Sequence, residues 1–126
     1  MGKMQRDKGK RGEREVVQIM KSLGWKDARR SRQSDGAVDP DVAGCDPLWI
    51  EVKRRKAIAA LRFMDQAIDD AETKKTPVTF MREDNGGWYV MLRADDLLRL
   101  AHIVVGQSSE CLKHPTSSHE DDSLHP

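Results

Sequence analysis

Asp41-Val42-Ala43-Gly44, followed after a short turn by Leu48-Trp49-Ile50-Glu51-Val52-Lys53-Arg54, is the stretch that decides the fold. It sets an acid at the start of one short strand, then an acid and a lysine two residues apart on the next. Residues i and i+2 of a strand share a face. Glu51 and Lys53 therefore project side by side, while Leu48, Ile50 and Val52 turn the other way into a core. Two carboxylates and a lysine on one sheet surface can hold a hard divalent cation and a water against a phosphate.

Working outward, Gly44-Cys45-Asp46-Pro47 makes the turn between these strands, Asp41 to Ala43 and Leu48 to Arg54. A weaker strand, Trp25 to Arg30, precedes them, with a polar loop from Ser31 to Pro40. Before it, Val16, Val17, Ile19, Met20 and Leu23 form an apolar stripe that predicts a helix from about Arg11 to Leu23, with Gly24 as its C′ residue. Residues 1–10 are expected as a flexible basic arm. Ala57 to about Thr73 reads as a helix, with Ile58, Leu61, Met64, Ile68 and Ala71 at helical spacing. Pro77 opens a strand over Val78 to Met81. Asp84-Asn85-Gly86-Gly87 is a hairpin signal, since Asn and Gly tolerate positive φ, and Trp88 to Leu92 returns. A last short helix is expected from Ala94 to about His102. The order α-β-β-β-α-β-β-α predicts an α/β domain over residues 11–105, with one mixed five-stranded sheet flanked by helices. Its first three strands form an antiparallel meander and a crossover helix follows. Residues 106–126, poor in apolar side chains, are expected as a disordered tail.

The 126 residues suffice for one domain with a core. No apolar run reaches the length of a membrane span, so no membrane partner is expected. No apolar segment follows the basic N-terminus, so no signal peptide is expected. Cys45 and Cys111 lie far apart, which argues against a disulfide and for the reducing cytoplasm. The net charge of +1 hides an asymmetry. Residues 1–62 carry 16 Lys and Arg against 9 Asp and Glu, whereas residues 63–126 carry 6 against 12. The basic half also holds the acid and lysine constellation, an arrangement suited to a polyanion bound through a metal.

Phosphodiester hydrolysis needs an activated water, charge relief at the phosphate and a stabilised leaving oxygen. Mg²⁺, with Mn²⁺ as its substitute, supplies much of this and takes one or two carboxylates plus waters. Asp41 and Glu51 are the candidate ligands, with the Val52 backbone carbonyl as a third oxygen and Glu13 as a further acid. Lys53 could orient the water or steady the phosphate charge. Taken singly, each has a plainer use: Glu-x-Lys on a solvated strand, Asp41 in a turn after Pro40, Glu13 at a helix start. Their order inside a basic segment is less common than the parts.

The segments Gly12-Glu13-Arg14-Glu15, Arg30-Ser31-Arg32-Gln33-Ser34-Asp35-Gly36, Pro40-Asp41-Val42-Ala43-Gly44 and Ile50-Glu51-Val52-Lys53-Arg54 together resemble the archaeal-type Holliday junction resolvases. These belong to the PD-(D/E)xK nucleases, with a restriction-endonuclease-like core. The resemblance covers roughly residues 8–100. It implies Glu13 as the helix-borne acid of the metal site, Asp41 and Glu51 as the central ligands, Lys53 as the catalytic lysine, and Ser34 as a loop serine near the DNA backbone. Asp39 competes with Asp41, which is preferred because it follows Pro40 directly. Gln66 resembles a glutamine found near the site in some of these nucleases.

The expected function is Mg²⁺-dependent cleavage of branched DNA, with paired nicks made by a homodimer. Phe63, Met64 and Trp88 are candidates for subunit contact, and ordinary core residues otherwise. Lys3, Arg6, Lys8, Lys10, Arg11, Arg14, Arg29, Arg30, Arg32, Arg54, Arg55 and Lys56 are phosphate-contact candidates. His114, His119 and His125 with Cys111 match no strong zinc spacing. A general repair, flap or restriction-like nuclease, or a non-catalytic DNA-binding dimer, stays open.

Overall fold

Eight residues of alternating facing, Leu48–Arg55, form the central strand, and the rest of the molecule is arranged around it. The computed structural model describes residues 3–32 and 38–113. The elements are α1 (Lys3–Ser22), β1 (Arg29–Arg30), β2 (Val42–Ala43), β3 (Leu48–Arg55), α2 (Ala60–Ala71), β4 (Thr76–Glu83), β5 (Tyr89–Met91), a 3-10 turn (Ala94–Asp96) and α3 (Leu97–Lys113). The five strands lie in one sheet in chain order. β1, β2 and β3 form an antiparallel meander, β3 and β4 are parallel, and β4 and β5 form a hairpin. This is the expected mixed sheet. Helix α2 makes the crossover that a parallel β3–β4 pair requires.

Both faces of the sheet are covered. On one, Leu48, Ile50, Val52, Val78 and Phe80 pack with Val16, Val17 and Met20 of α1, and Leu100, Ile103 and Val104 of α3 lie against them. On the other, Phe63, Met64, Ala67 and Ala71 of α2 are buried. Thr79 donates to the Met64 sulfur at 3.6 Å on that side. Glu51 is 4% exposed. A carboxylate so placed is costly unless it is compensated. Pro77 lies where β4 pairs with β3 alone, because β5 reaches only Thr79 to Met81. Its missing N–H therefore breaks no ladder bond.

Several boundaries differ from expectation. The first helix begins at Lys3, so described residues of the expected arm are helical. Gly12 faces the sheet, where a Cβ would lie in ordinary van der Waals contact with the Cβ of Arg54 and the Trp88 ring. The helix ends at Gly24, whose φ is +115°. Trp25 N–H donates to Met20 O and Gly24 N–H to Lys21 O, a Schellman closure. The last helix runs to Lys113 rather than about His102, so the expected tail is helical over residues 106–113. Its polar residues have partners, since Gln107 Nε2 donates to Gly24 O and Ser108 Oγ to Leu23 O. They satisfy carbonyls at the end of α1 that the helix itself leaves open. His114, His119 and His125 lie outside the described residues. α2 starts at Ala60 rather than Ala57, and Leu61, expected in its apolar stripe, is exposed. In the β4–β5 hairpin Gly86 N–H donates to Glu83 O. None of Asn85, Gly86 and Gly87 has a positive φ, so that turn forms without the backbone freedom expected of them.

Candidate active site

β2 is only two residues long, and its shortness builds the site. Asp41 N–H donates to Ile50 O at 2.8 Å, aligning the start of β2 with β3. One rung further, β2 offers no backbone acceptor to Val52. The Asp41 side chain takes its place, with Val52 N–H donating to Oδ2 at 2.8 Å. The sheet thus fixes the Asp41 carboxylate beside Glu51, the residue before Val52.

Glu51 is held in turn by Trp49 on the same face, whose Nε1 donates to Oε2 at 3.0 Å. The Glu51 carboxyl is pushed up to about 7, first by burial, then by the Asp41 charge and by the proton it donates to Asp41; Trp49 and Lys53 oppose the shift. Asp41 is also raised, by burial, against the opposing influence of the Val52 N–H, Glu51, Lys53 and Arg55. Lys53 shares the Glu51 face, its Nζ 5.5 Å from the centre of the Phe63 ring.

Glu13 reaches the neighbourhood from α1. Arg30 Nε donates to its Oε1 at 3.0 Å. Burial raises the Glu13 carboxyl, Arg30 lowers it, and the charge of Asp41 raises it again. Among the described residues no three acid, histidine or cysteine side chains converge as a ready-made metal cage. Asp41 and Glu51 come together, and Glu13 stands aside on Arg30. The pair nonetheless fits a hard divalent cation. Both carboxylates are disfavoured as anions by burial, and one is held protonated by the other, an imbalance that a positive ion relieves.

The other expected residues are distributed more widely. Lys10, Arg11, Arg14, Arg29, Arg32, Arg55 and Lys56 are exposed. Lys8 is spent on Asp84 at 2.9 Å. Asp39 is exposed, whereas Asp41 is half-buried. Gln66 is exposed on α2, off its buried face. Ser34 lies outside the described residues. Cys45 is a free, buried thiol, raised to about 11 by burial, which leaves it inert as a nucleophile.

Over residues 4–105 the chain matches the family model of the archaeal Holliday junction resolvases, Hjc. The chain belongs to that family. It is therefore a member of a family of nucleases. Among solved structures it is similar to the 1.6 Å structure of Archaeoglobus fulgidus Hjc, described as a Holliday junction resolvase from an archaeal hyperthermophile. The two are 20% identical over 67% of this chain and 76% of that one, with a TM-score of 0.50. At that identity the likeness speaks to the fold, and the resolvase fold agrees with the sheet described above. No curated protein matches the chain.

Glu15 went unassigned as a site residue although it belongs to the same Gly-Glu-Arg-Glu run as Glu13. Two positions on, a helix turns by about 200°, so the two acids leave α1 on opposite flanks. Glu15 accepts from Arg82 Nη1 at 2.5 Å and Trp88 Nε1 at 2.9 Å, with Arg54 Nη1 at 3.8 Å. It fastens α1 to β3 and β4, and helical phase was the signal available for it.

Proposed function

We propose that this chain is a Mg²⁺-dependent DNA endonuclease that resolves four-way junctions by paired nicks, acting as a homodimer. The observation that carries the reading is the pairing of Asp41 with Glu51 through the sheet, with Lys53 on the same face, in a chain of the resolvase family. Asp41 and Glu51 would hold the ion, the Val52 carbonyl offering a third oxygen and Glu13 acting from α1. A bound Mg²⁺ supplies Lewis-acid polarisation of the phosphate and a more acidic water. Asp41 is aimed by the Val52 N–H and Glu51 by the Trp49 N–H, so neither carboxylate has to reorganise before reaction. Lys53 sets a positive charge beside the scissile phosphate and orients the attacking water. Arg14, Arg29, Arg30, Arg32 and Arg54 to Lys56 are proposed to meet backbone phosphates, which position DNA without specifying its sequence.

The homodimer needs an apolar face. Phe63 and Met64 are buried within one chain and Trp88 is bound to Glu15, so the residues first considered are already occupied. Tyr89 and Val90 of the edge strand β5, with Leu97 and Leu98 just beyond it, are the exposed apolar alternative.

The test is cleavage with Mg²⁺ of a labelled four-way junction, a flap, a linear duplex and a single strand, with Glu51→Ala and Lys53→Ala as controls. Paired symmetric nicks confined to the junction are expected. Equal cutting of linear duplex would replace this reading with a general nuclease. Junction binding without cutting would leave a DNA-binding protein of the same fold.

A further inference from the structure

Three cations gather at one aromatic ring beside the acids. Lys53 Nζ lies 5.5 Å from the Phe63 ring centre, and the Arg55 and Arg62 guanidinium carbons lie 5.8 and 5.9 Å from it. Phe63 is 8% exposed, so packing fixes the ring. Arg55 and Arg62 are exposed. They come from different elements, Arg55 from the end of β3 and Arg62 from the first turn of α2, so the fold rather than the local sequence brings them together.

These cations differ from several of the basic residues around the sheet. Lys8, Arg30, Arg54 and Arg82 are each neutralised by a carboxylate. Among the described residues none of Lys53, Arg55 and Arg62 forms a salt bridge. Three like charges repel one another, and the attraction of a ring face for a cation only partly offsets this. Lys53 and Arg55 already feel the charge of Asp41, and the exposed forks of Arg55 and Arg62 stay open to a further anion. Two of its members are guanidinium forks, whose geometry matches phosphate oxygens in pairs.

We propose that Arg62 and Arg55, held at the rim of Phe63 beside Lys53, bind the phosphodiester adjacent to the one being cut. Phe63 acts as a positioning residue that keeps the two forks on the scissile side of the sheet. The assignment rests on the nuclease reading above and adds to it a phosphate-binding subsite containing Arg62, a residue outside the basic runs of the N-terminal half.

Binding to a labelled four-way junction is measured without divalent cation, so that nothing is cut, over a series of salt concentrations. Arg62→Ala and Arg55→Ala should each lower the slope of log affinity against log salt by about 0.9, one phosphate contact on duplex DNA. Arg62→Lys, which keeps the charge, should retain the slope. Arg99→Ala, an exposed arginine on α3, should leave it unchanged. Phe63→Leu should weaken binding while near-ultraviolet circular dichroism reports an intact fold. With Mg²⁺, Arg62→Ala should raise KM more than it lowers kcat. A slope for Arg62→Ala and Arg55→Ala equal to that of Arg99→Ala, in a wild-type protein that cuts DNA, overturns the subsite and spares the nuclease. A wild-type protein that binds with the expected slopes but cuts no DNA overturns the nuclease reading and spares the cation rim as a phosphate contact.

Discussion

Glu51 combines a buried position with a carboxylate neighbour, and the combination has a measurable sign. Its carboxyl has an ordinary value of 4.5 and stands at about 7 in the folded chain. Between those values the folded chain holds a proton that the unfolded chain releases. Stability is then fully present below about 4.5 and is lost as pH rises through about 7. Denaturant titrations of the metal-free protein at pH 5 and pH 8 should show the lower stability at pH 8, and Glu51→Gln should flatten the difference. Asp41 separates two roles by substitution. Asp41→Asn removes the charge but keeps an acceptor for the Val52 N–H, whereas Asp41→Ala leaves that amide unpaired. Both should lower Mg²⁺-dependent cleavage by at least about 100-fold, given how much activated water and phosphate polarisation depend on a bound ion. Only Asp41→Ala should also cost about 1–3 kcal/mol in a urea titration.

At the scale of elements, the end of α2 is strained in a way that can be relieved. Glu72 has φ +56°, and its N–H donates to Ile68 O and Asp69 O. With ψ −135° this is a positive-φ conformation normally reserved for glycine, and a side chain there costs about 1–3 kcal/mol. Glu72→Gly should therefore raise the midpoint of thermal unfolding, measured by circular dichroism. The opposite change is expected at Gly44. Its φ is +81°, and a Cβ would collide with Asp27 O, so Gly44→Ala should open the β2–β3 turn and destabilise the sheet. These elements also explain which parts of the fold were legible in the sequence. β3 was legible because Leu48, Ile50 and Val52 alternate with Trp49, Glu51 and Lys53. The start of α1 was not, because Lys3 to Arg11 are mostly polar and Gly9 interrupts them. The second half of α3 looked like tail because Gln107 and Ser108 are polar. What holds them is the end of α1, a tertiary partner that local composition does not record. Glu51 and Lys53 could be paired from strand period alone, while the Phe63 rim could not, since Arg62 and Arg55 lie on separate elements.

Across the whole molecule, the basic and acidic halves of the chain are partly sewn together. Lys8 meets Asp84 at 2.9 Å, and Lys75 meets Asp46 at 2.8 Å. Binding to DNA should weaken steeply with salt. Among the described residues no helix is long and apolar enough to cross a membrane. The exposed Tyr89, Val90, Leu97 and Leu98 give the proposed homodimer a place to be tested. Leu98→Glu, at a residue 69% exposed, should shift the protein from dimer to monomer in light scattering while preserving its fold. One consequence of the short β2 strand concerns how the enzyme can be watched at work. The Asp41 carboxylate that completes the sheet is also the group proposed to hold the ion, so the two roles should be coupled. The amide hydrogen of Val52 is therefore a built-in reporter. Its exchange with deuterated solvent should slow when the centre is loaded and quicken when it is stripped, giving a reading of occupancy that needs no DNA and no cleavage.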